Sequence, residues 1–424
     1  MSPRSIVWGL GRHGGGVSAA RFLAGRGDRV AVVDAATADD LAASVQQLDG
    51  LAIDWRLGVS DAVAAALADA DSVVVNPAIP PTHPALASVR GRTTSELQLT
   101  LDALPAAARV VAVTGSNGKS GLVAQLGQHA AVGGNFERDL IGRPQSLLTQ
   151  PDEVTQFGGR AALEVSSFQA AALDRDRSEA TFDATVITSL TANHLDWHGS
   201  MDDYAAAKRS LLRRSRGPII GPRAVLDELG LADHPQAVAV DGDDLHAAIV
   251  AAIDWPDAPP VALPHRRQVV GTRSGVRFVD DSAATTPAAT LFTLDRLQEA
   301  DACKSDAREA DACEADARES IVLILGGRNK GLNLDALARG VAGRVAAVAT
   351  IGETAADLAR LIAIHGGKVR SCRTLAKAVK WGRKLLASAV HDGGVLLLSP
   401  AMASTDQFPD YRDRGRAFAS LCDE

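Results

Sequence analysis

Aromatic residues make up only 4% of this 424-residue chain, which leaves little flat surface on which nucleobases could stack. Lys and Arg (44) are outnumbered by Asp and Glu (51), the formal net charge is −7, and no basic block interrupts the balance. Extended nucleic-acid binding is therefore not expected, although local Lys and Arg can still meet small anionic ligands. Cysteine is scarce: Cys303, Cys313, Cys372 and Cys422 form no C-x-x-C pair, and no histidine stands at metal-ligand spacing. Disulfide scaffolds, zinc sites and thiol chemistry drop out, and reduced thiols are expected. No apolar run reaches the roughly 18 residues that a membrane helix needs. The opening MSPRSIVWGLG enters a strand-like run without the apolar core of a signal peptide. The expected address is cytoplasmic, without membrane insertion.

What is present is alternation. Short β-branched runs follow Ala/Leu-rich helical patterns along the whole chain, the signature of parallel α/β layers. Ser5–Leu10 and Arg29–Asp34 read as strands flanking a helix near Val17–Ala24, and Asp71–Asn76 as a strand closed by Pro77. Arg109–Thr114, Arg160–Val165 and Thr185–Leu190 are further strands, followed by a helix from Met201 to Arg214. Ser320–Leu325, Ala346–Ile351 and Gly394–Leu398 continue the pattern. A Pro/Ala connection near Pro105 and the Pro-rich stretch Trp255–Pro264 suggest domains over residues 1–105, 106–262 and 263–424. A tandem decamer, DACKSDAREA then DACEADARES over Asp301–Ser320, has helix propensity but almost no apolar stripe, and reads as a solvated helix extension or surface loop.

Two glycine turns carry chemistry. Gly9-Leu10-Gly11-Arg12-His13-Gly14 follows a strand and precedes a helix, with Asp34 closing the next strand. There the glycines let backbone approach a diphosphate, the helix start favours negative charge, and the acid meets sugar or base; the pattern fits NAD or FAD as readily as UDP. The second turn, Thr114-Gly115-Ser116-Asn117-Gly118-Lys119-Ser120, departs from the usual phosphate-loop spacing because Val113 stands where the first glycine falls. Its logic survives: backbone N–H groups cradle phosphate oxygens, Lys119 neutralises β/γ charge, and Ser120 can hold Mg²⁺. Hydride transfer has no use for such a lysine, which argues against a simple dehydrogenase.

In order along the chain come Gly133-Gly134-Asn135, Glu164-Val165-Ser166-Ser167-Phe168-Gln169 and Asn193-His194-Leu195-Asp196-Trp197-His198-Gly199-Ser200. Ala205-Ala206-Ala207-Lys208, Pro264-His265-Arg266, Asp280-Asp281-Ser282, Gly326-Gly327-Arg328-Asn329-Lys330-Gly331 and Ser399-Pro400-Ala401 follow. Collinear with the two turns, these motifs resemble the Mur ligase family over nearly the whole chain. The Gly-Leu-Gly turn with Asp34, Asn76-Pro77-Ala78-Ile79 and Ser95-Glu96-Leu97 is similar to its glutamate-adding branch. The resemblance implies an α/β fold of three domains: an N-terminal Rossmann-like UDP-binding domain, a central ATPase-like domain, and a C-terminal Rossmann-like domain. It implies an ATP- and Mg²⁺-dependent ligase that adds glutamate to UDP-N-acetylmuramoyl-L-alanine through an acyl phosphate, in peptidoglycan precursor synthesis, and acts as a monomer.

Residue roles follow by the same resemblance. Gly115, Ser116, Asn117, Gly118, Lys119 and Ser120 would hold the ATP phosphates, with Arg266 on the phosphates and Asp281 at the ribose. Ser120, Glu164, His194 and a carbamylated Lys208 would bind Mg²⁺. Gly11, Arg12, His13, Asp34 and Asn135 would meet the UDP substrate, and Lys330, Ser404 and Tyr411 the glutamate. Gly121 stands where Thr is usual, Asn193 where Asp is common, Trp197 where Arg is common, and Ala283 where Lys is frequent. Only twelve residues separate Ser120 from Gly133, scarcely room for a helix and a return strand. A family ligase for another amino acid, or a catalytically impaired nucleotide-binding homologue, are the alternative readings.

Overall fold

Parallel pairing dominates the computed structural model, which describes residues 2–11, 15–59, 62–241, 244–306, 320–329, 333–389 and 394–423. Two compact units divide the chain, Met1–Val261 and Ala262–Glu424. The first unit holds two sheets. Strands β1 (Arg4–Trp8), β2 (Arg29–Asp34), β3 (Ile53–Leu57), β4 (Ser72–Val75) and β5 (Thr93–Thr94) lie in the order β3-β2-β1-β4-β5. Every pair is parallel, with Ile6 level with Ala31 on one side and Val73 on the other. Both faces of β1 are covered, which is why Ile6, Val7 and Trp8 read as an unbroken apolar run rather than an alternation. Chain order reverses at β1, so the turn after it opens at the switch point where ligands of such sheets bind.

The second sheet comprises β6 (Arg109–Thr114), β7 (Ala131–Gly134), β8 (Arg160–Glu164), β9 (Ala184–Ile187), β10 (Ile219–Pro222) and β11 (Ala237–Val240). Its order is β11-β10-β9-β6-β8-β7, again with a reversal, here at β6. Helix α1 (Gly15–Gly25) serves the first sheet; α2 (Lys119–Leu126), α3 (Ser167–Arg175), the single turn α4 (Leu195–His198) and α5 (Met201–Leu212) serve the second. Strand β9 stops three residues before the Leu190 expected from sequence. Thr188 and Ser189 leave the ladder because their hydroxyls bond the backbone around Asn117.

The tight passage after Ser120 closes because α2 is short and β7 returns at once. Arg143 donates to the carbonyls of Gly127 and Ala130 at 3.0 Å each, taking up orphan acceptors beyond the helix end. Its guanidinium lies 4.4 Å over the Phe157 ring, while the buried Arg138 and Glu153 pair with each other. This charged knot occupies the stretch between Asn135 and the second half of the domain, where the sequence departs from the family pattern.

The second unit is built on β12 (Gln268–Arg273), β13 (Val276–Asp280), β14 (Ser320–Gly326), β15 (Ala347–Ile351), β16 (Val369–Arg373) and β17 (Gly394–Leu398). Their order is β12-β13-β17-β14-β15-β16, with β12 alone antiparallel. Apolar clusters cover both faces, one around Phe278, Leu396 and Phe418, the other around Leu323, Leu358 and Leu397. Helix α6 (Pro287–Asp306) runs into the first decamer, whose remainder lies outside the described residues together with the second as far as Glu319; α7 (Tyr411–Asp423) ends the unit. No helix among the described residues is long and apolar enough to cross a membrane.

Candidate active site

The first glycine turn is organised by a carboxylate. Gly9 (φ +88°) and Gly11 (φ +68°) are left-handed, and a Cβ on Gly9 would lie 2.7 Å from that of Asn76. Asp34, at the end of β2, accepts from the backbone N–H of Leu10 (2.8 Å) and Gly11 (3.3 Å) through Oδ2, and from that of Ala36 (2.9 Å) through Oδ1. Asn76 donates to Gly9 O at 3.1 Å and accepts from Ala78 N at 2.9 Å, which pins the turn after β4 to the turn after β1. Arg12 and His13 lie outside the described residues.

The second turn wraps the start of α2. Gly115 has φ +143°, and a Cβ there would stand 2.0 Å from Thr188 Oγ1; Gly118, left-handed at φ +86°, is the helix N-cap. Asn117 N donates to Ser189 Oγ (2.9 Å), and Ser116 shares a 2.8 Å hydroxyl–hydroxyl bond with Tyr204. Lys119 Nζ folds back onto the carbonyls of Gly115 (2.8 Å) and Ser116 (3.2 Å). N–H groups at a helix start and an ammonium in the same loop are the groups that favour an anion.

Beside it, the ends of β6, β7 and β8 bring polar groups together. Glu164 is buried and accepts from Ser120 Oγ (2.7 Å) and Asn135 Nδ2 (3.1 Å). Gly134 must be glycine, since a Cβ would reach 2.2 Å from Glu164 O. Lys208, on α5, is 1% exposed; its Nζ reaches Thr114 Oγ1 at 3.4 Å and sits 4.6 Å over the Tyr204 ring. No carboxylate of the described residues forms an ion pair with it. Burial, reinforced by nearby Lys119 and opposed by Glu164, pushes its ammonium pKa well below the ordinary lysine value. His194 enters from the loop after β9 as the exposed, left-handed cap of α4 (φ +55°), its ring edge-on to Phe168 at 4.7 Å.

In the second unit, the Asp280-Asp281-Ser282 turn follows β13. Asp281 is buried and fully engaged: Oδ1 accepts from Arg267 N (3.2 Å), Oδ2 from Thr293 and Ser399 hydroxyls (2.7 Å each). Burial pushes its pKa up to about 6. Asp280 holds His265 Nδ1 at 2.7 Å, and this pair fixes the loop that carries the exposed Arg266. Ser282 donates to Tyr411 O (2.7 Å) and accepts from the buried Arg414 (2.9 Å), whose pKa burial lowers to about 10. Ser404 is buried at a tight turn where Gln407 N bonds its carbonyl (3.0 Å). Lys330 lies outside the described residues.

The model of the Mur ligase middle domain matches residues 113–221, and that of the Mur ligase MurD-like N-terminal domain residues 3–95. The chain is 30% identical to the UDP-N-acetylmuramoylalanine–D-glutamate ligase of Roseiflexus sp. (strain RS-1), over 99% of this chain and 98% of that protein. The chain belongs to the Mur ligase family. This Mur ligase is also similar to the proteins of that name from Rubrobacter xylanophilus (30% identity, 99% and 98% covered) and Frankia casuarinae (31%, 98% and 93%).

The residues fit the groups the family uses. Gly115 and Gly118 give the loop positive-φ backbone, and at Gly115 a Cβ would collide with Thr188, so the tight course of a phosphate-binding loop depends on glycine there. A divalent cation beside Ser120 and Glu164 would meet a hydroxyl and a carboxylate oxygen, the hard donors magnesium prefers. No group of three His, Cys, Asp or Glu side chains able to hold a metal occurs among the described residues. A carbamate on Lys208 would supply further oxygens in this Mur ligase, and the lowering of its pKa by burial shifts the lysine toward the neutral amine that such a modification needs.

Sequence reading missed several partners. Tyr204 lies four residues before Lys208 on the same face of α5, a spacing that could have flagged it. Thr188 and Ser189 were absorbed into an expected strand. Arg414 gave no local signal at all, because its partners lie 12 residues away at Met402 and 132 residues away at Ser282.

Proposed function

We propose that this Mur ligase joins D-glutamate to UDP-N-acetylmuramoyl-L-alanine, with ATP activating the precursor carboxylate as an acyl phosphate. The observation that carries this reading is the near-complete length over which the chain matches three D-glutamate ligases. The first turn would take the UDP end and the Gly115–Ser120 turn the ATP phosphates.

A carboxylate is a poor electrophile, so its activation depends on positioning and charge neutralisation. Lys119 would leave its loop carbonyls for the β- and γ-phosphates, and the N–H groups opening α2 would hold phosphate oxygens. Bound magnesium would supply further charge neutralisation, held by Ser120, Glu164, His194 and carbamylated Lys208. Asn135, oriented by Glu164, would face the acyl end of the precursor. Arg266 would reach the phosphates, the Asp281 turn would border the adenosine, and Lys330, Ser404 and Tyr411 would receive glutamate. The enzyme would work as a cytoplasmic monomer.

ADP release tests the reading: it is expected only with ATP, the UDP precursor and D-glutamate together, and at least about 100-fold faster than with L-glutamate. Equal use of L-glutamate, alanine or diaminopimelate would contradict it. Asp34→Ala is expected to raise precursor KM roughly tenfold while kcat changes less than about threefold, because the freed Leu10 and Gly11 amides no longer hold the turn. An unaltered KM in steady-state assays would remove UDP from that turn.

A further inference from the structure

In a chain so poor in aromatics, ring contacts converge on one four-residue turn. Trp197, on α4, meets Phe168 edge-on at 4.8 Å and His198 at 4.6 Å. Phe168 in turn receives the edge of His194 and stacks on His198 at 5.6 Å. His198 Nε2 bonds Ser167 Oγ at 2.9 Å, and its ring abuts Tyr204 at 5.2 Å, the side chain that bonds Ser116 in the phosphate loop. A single helical turn has no cooperative stability of its own. This one also begins at a left-handed histidine and ends at Gly199 with φ +88°, so its shape is imposed by the rings around it.

The other end of Trp197 points to a different site. Its indole Nε1 donates to Ala78 O at 3.2 Å. Ala78 belongs to the turn that Asn76 pins to Gly9, and Pro77, Ile79 and Pro81 line a narrow cleft against Phe168 and Trp197. One side chain therefore bonds the turn beside the UDP end and packs on the ring that supports His194.

We propose that Trp197 is a positioning residue: its indole N–H fastens the 76–79 turn to the loop presenting His194, so that precursor binding and the placement of His194 are set together. The role assigned to His194 rests on the functional reading above; the fastening itself does not.

Two substitutions separate the two ends. Trp197→Phe keeps a ring on Phe168 and loses the donor: precursor KM rises about tenfold, while ATP KM and kcat stay within roughly threefold. Trp197→Ala also removes the ring, and kcat falls about a further tenfold, with half-maximal activity needing more Mg²⁺. General unfolding would instead lower the melting temperature and leave the ratio of the two KM values unchanged. Amide exchange reads the latch without turnover: protection at Ala78 and Ile79 drops at least about fivefold in Trp197→Phe. Unchanged exchange there, or an unchanged precursor KM in an active enzyme, overturns the proposal. A wild-type protein without glutamate-dependent ADP release defeats the functional reading, and the exchange result then still decides whether the latch exists.

Discussion

Lys119→Ala is expected to abolish ATP turnover while leaving affinity for the UDP precursor within about twofold, because the lysine neutralises charge that develops only at the phosphates. Loss of a preorganised donor of this kind costs on the order of 3–4 kcal/mol, or roughly 10²–10³-fold in kcat. The fold should tolerate the change. Gly118 caps α2 by its backbone, and Lys119 Nζ bonds the Gly115 and Ser116 carbonyls of its own loop. The first glycine turn stands on a separate sheet, held by Asp34 and Asn76. Coupled ADP assays and calorimetric titration of the precursor check both halves. A variant with wild-type turnover would remove the phosphate loop from the mechanism.

Lys208→Met is the second large effect: turnover falls at least about 100-fold, whereas the melting temperature holds or rises. The sign follows from linkage. With its folded pKa below the usual 10.5, unmodified Lys208 binds fewer protons folded than unfolded. Its burial therefore opposes folding in full below the folded pKa, and the penalty fades as pH climbs toward 10.5. A methionine of similar length carries no such penalty, so the stability gap over unmodified protein should narrow with rising pH. The loss of turnover has a separate cause, since only an amine can take up CO₂ and present carbamate oxygens. Activity should accordingly fall in CO₂-depleted buffer and return with bicarbonate, while Lys208→Arg, always charged, should not respond. A Lys208→Met enzyme with normal kcat would contradict the assignment.

Both glycine turns were legible in the sequence because their chemistry is local. A backbone that must run left-handed, or pass within 2.0 Å of where a Cβ would sit, leaves glycine as the accommodating residue, and the lysine and serine follow at fixed distance. Buried parallel strands were legible for a related reason: coverage on both faces turns them into continuous apolar runs such as Val110–Val113. What stayed hidden is whatever depends on distant partners. Thr188 and Ser189 look like strand residues until the loop they bond is beside them. Arg143, paired with Glu153, bonds the carbonyls of Gly127 and Ala130 in the short passage between Ser120 and Gly133, yet no spacing rule joins those groups. Asp281 shows the same limit from the other side. Both of its oxygens bond the protein itself, through Arg267 N and the Thr293 and Ser399 hydroxyls, and the sequence names none of these partners.

The most direct test of the account is a crystal structure with a non-hydrolysable ATP analogue and Mg²⁺. The triphosphate is expected along the Gly115–Ser120 turn, with Lys119 Nζ moved from the Gly115 and Ser116 carbonyls to the β- and γ-phosphates. A nucleotide bound elsewhere, with Lys119 still on those carbonyls, would contradict it.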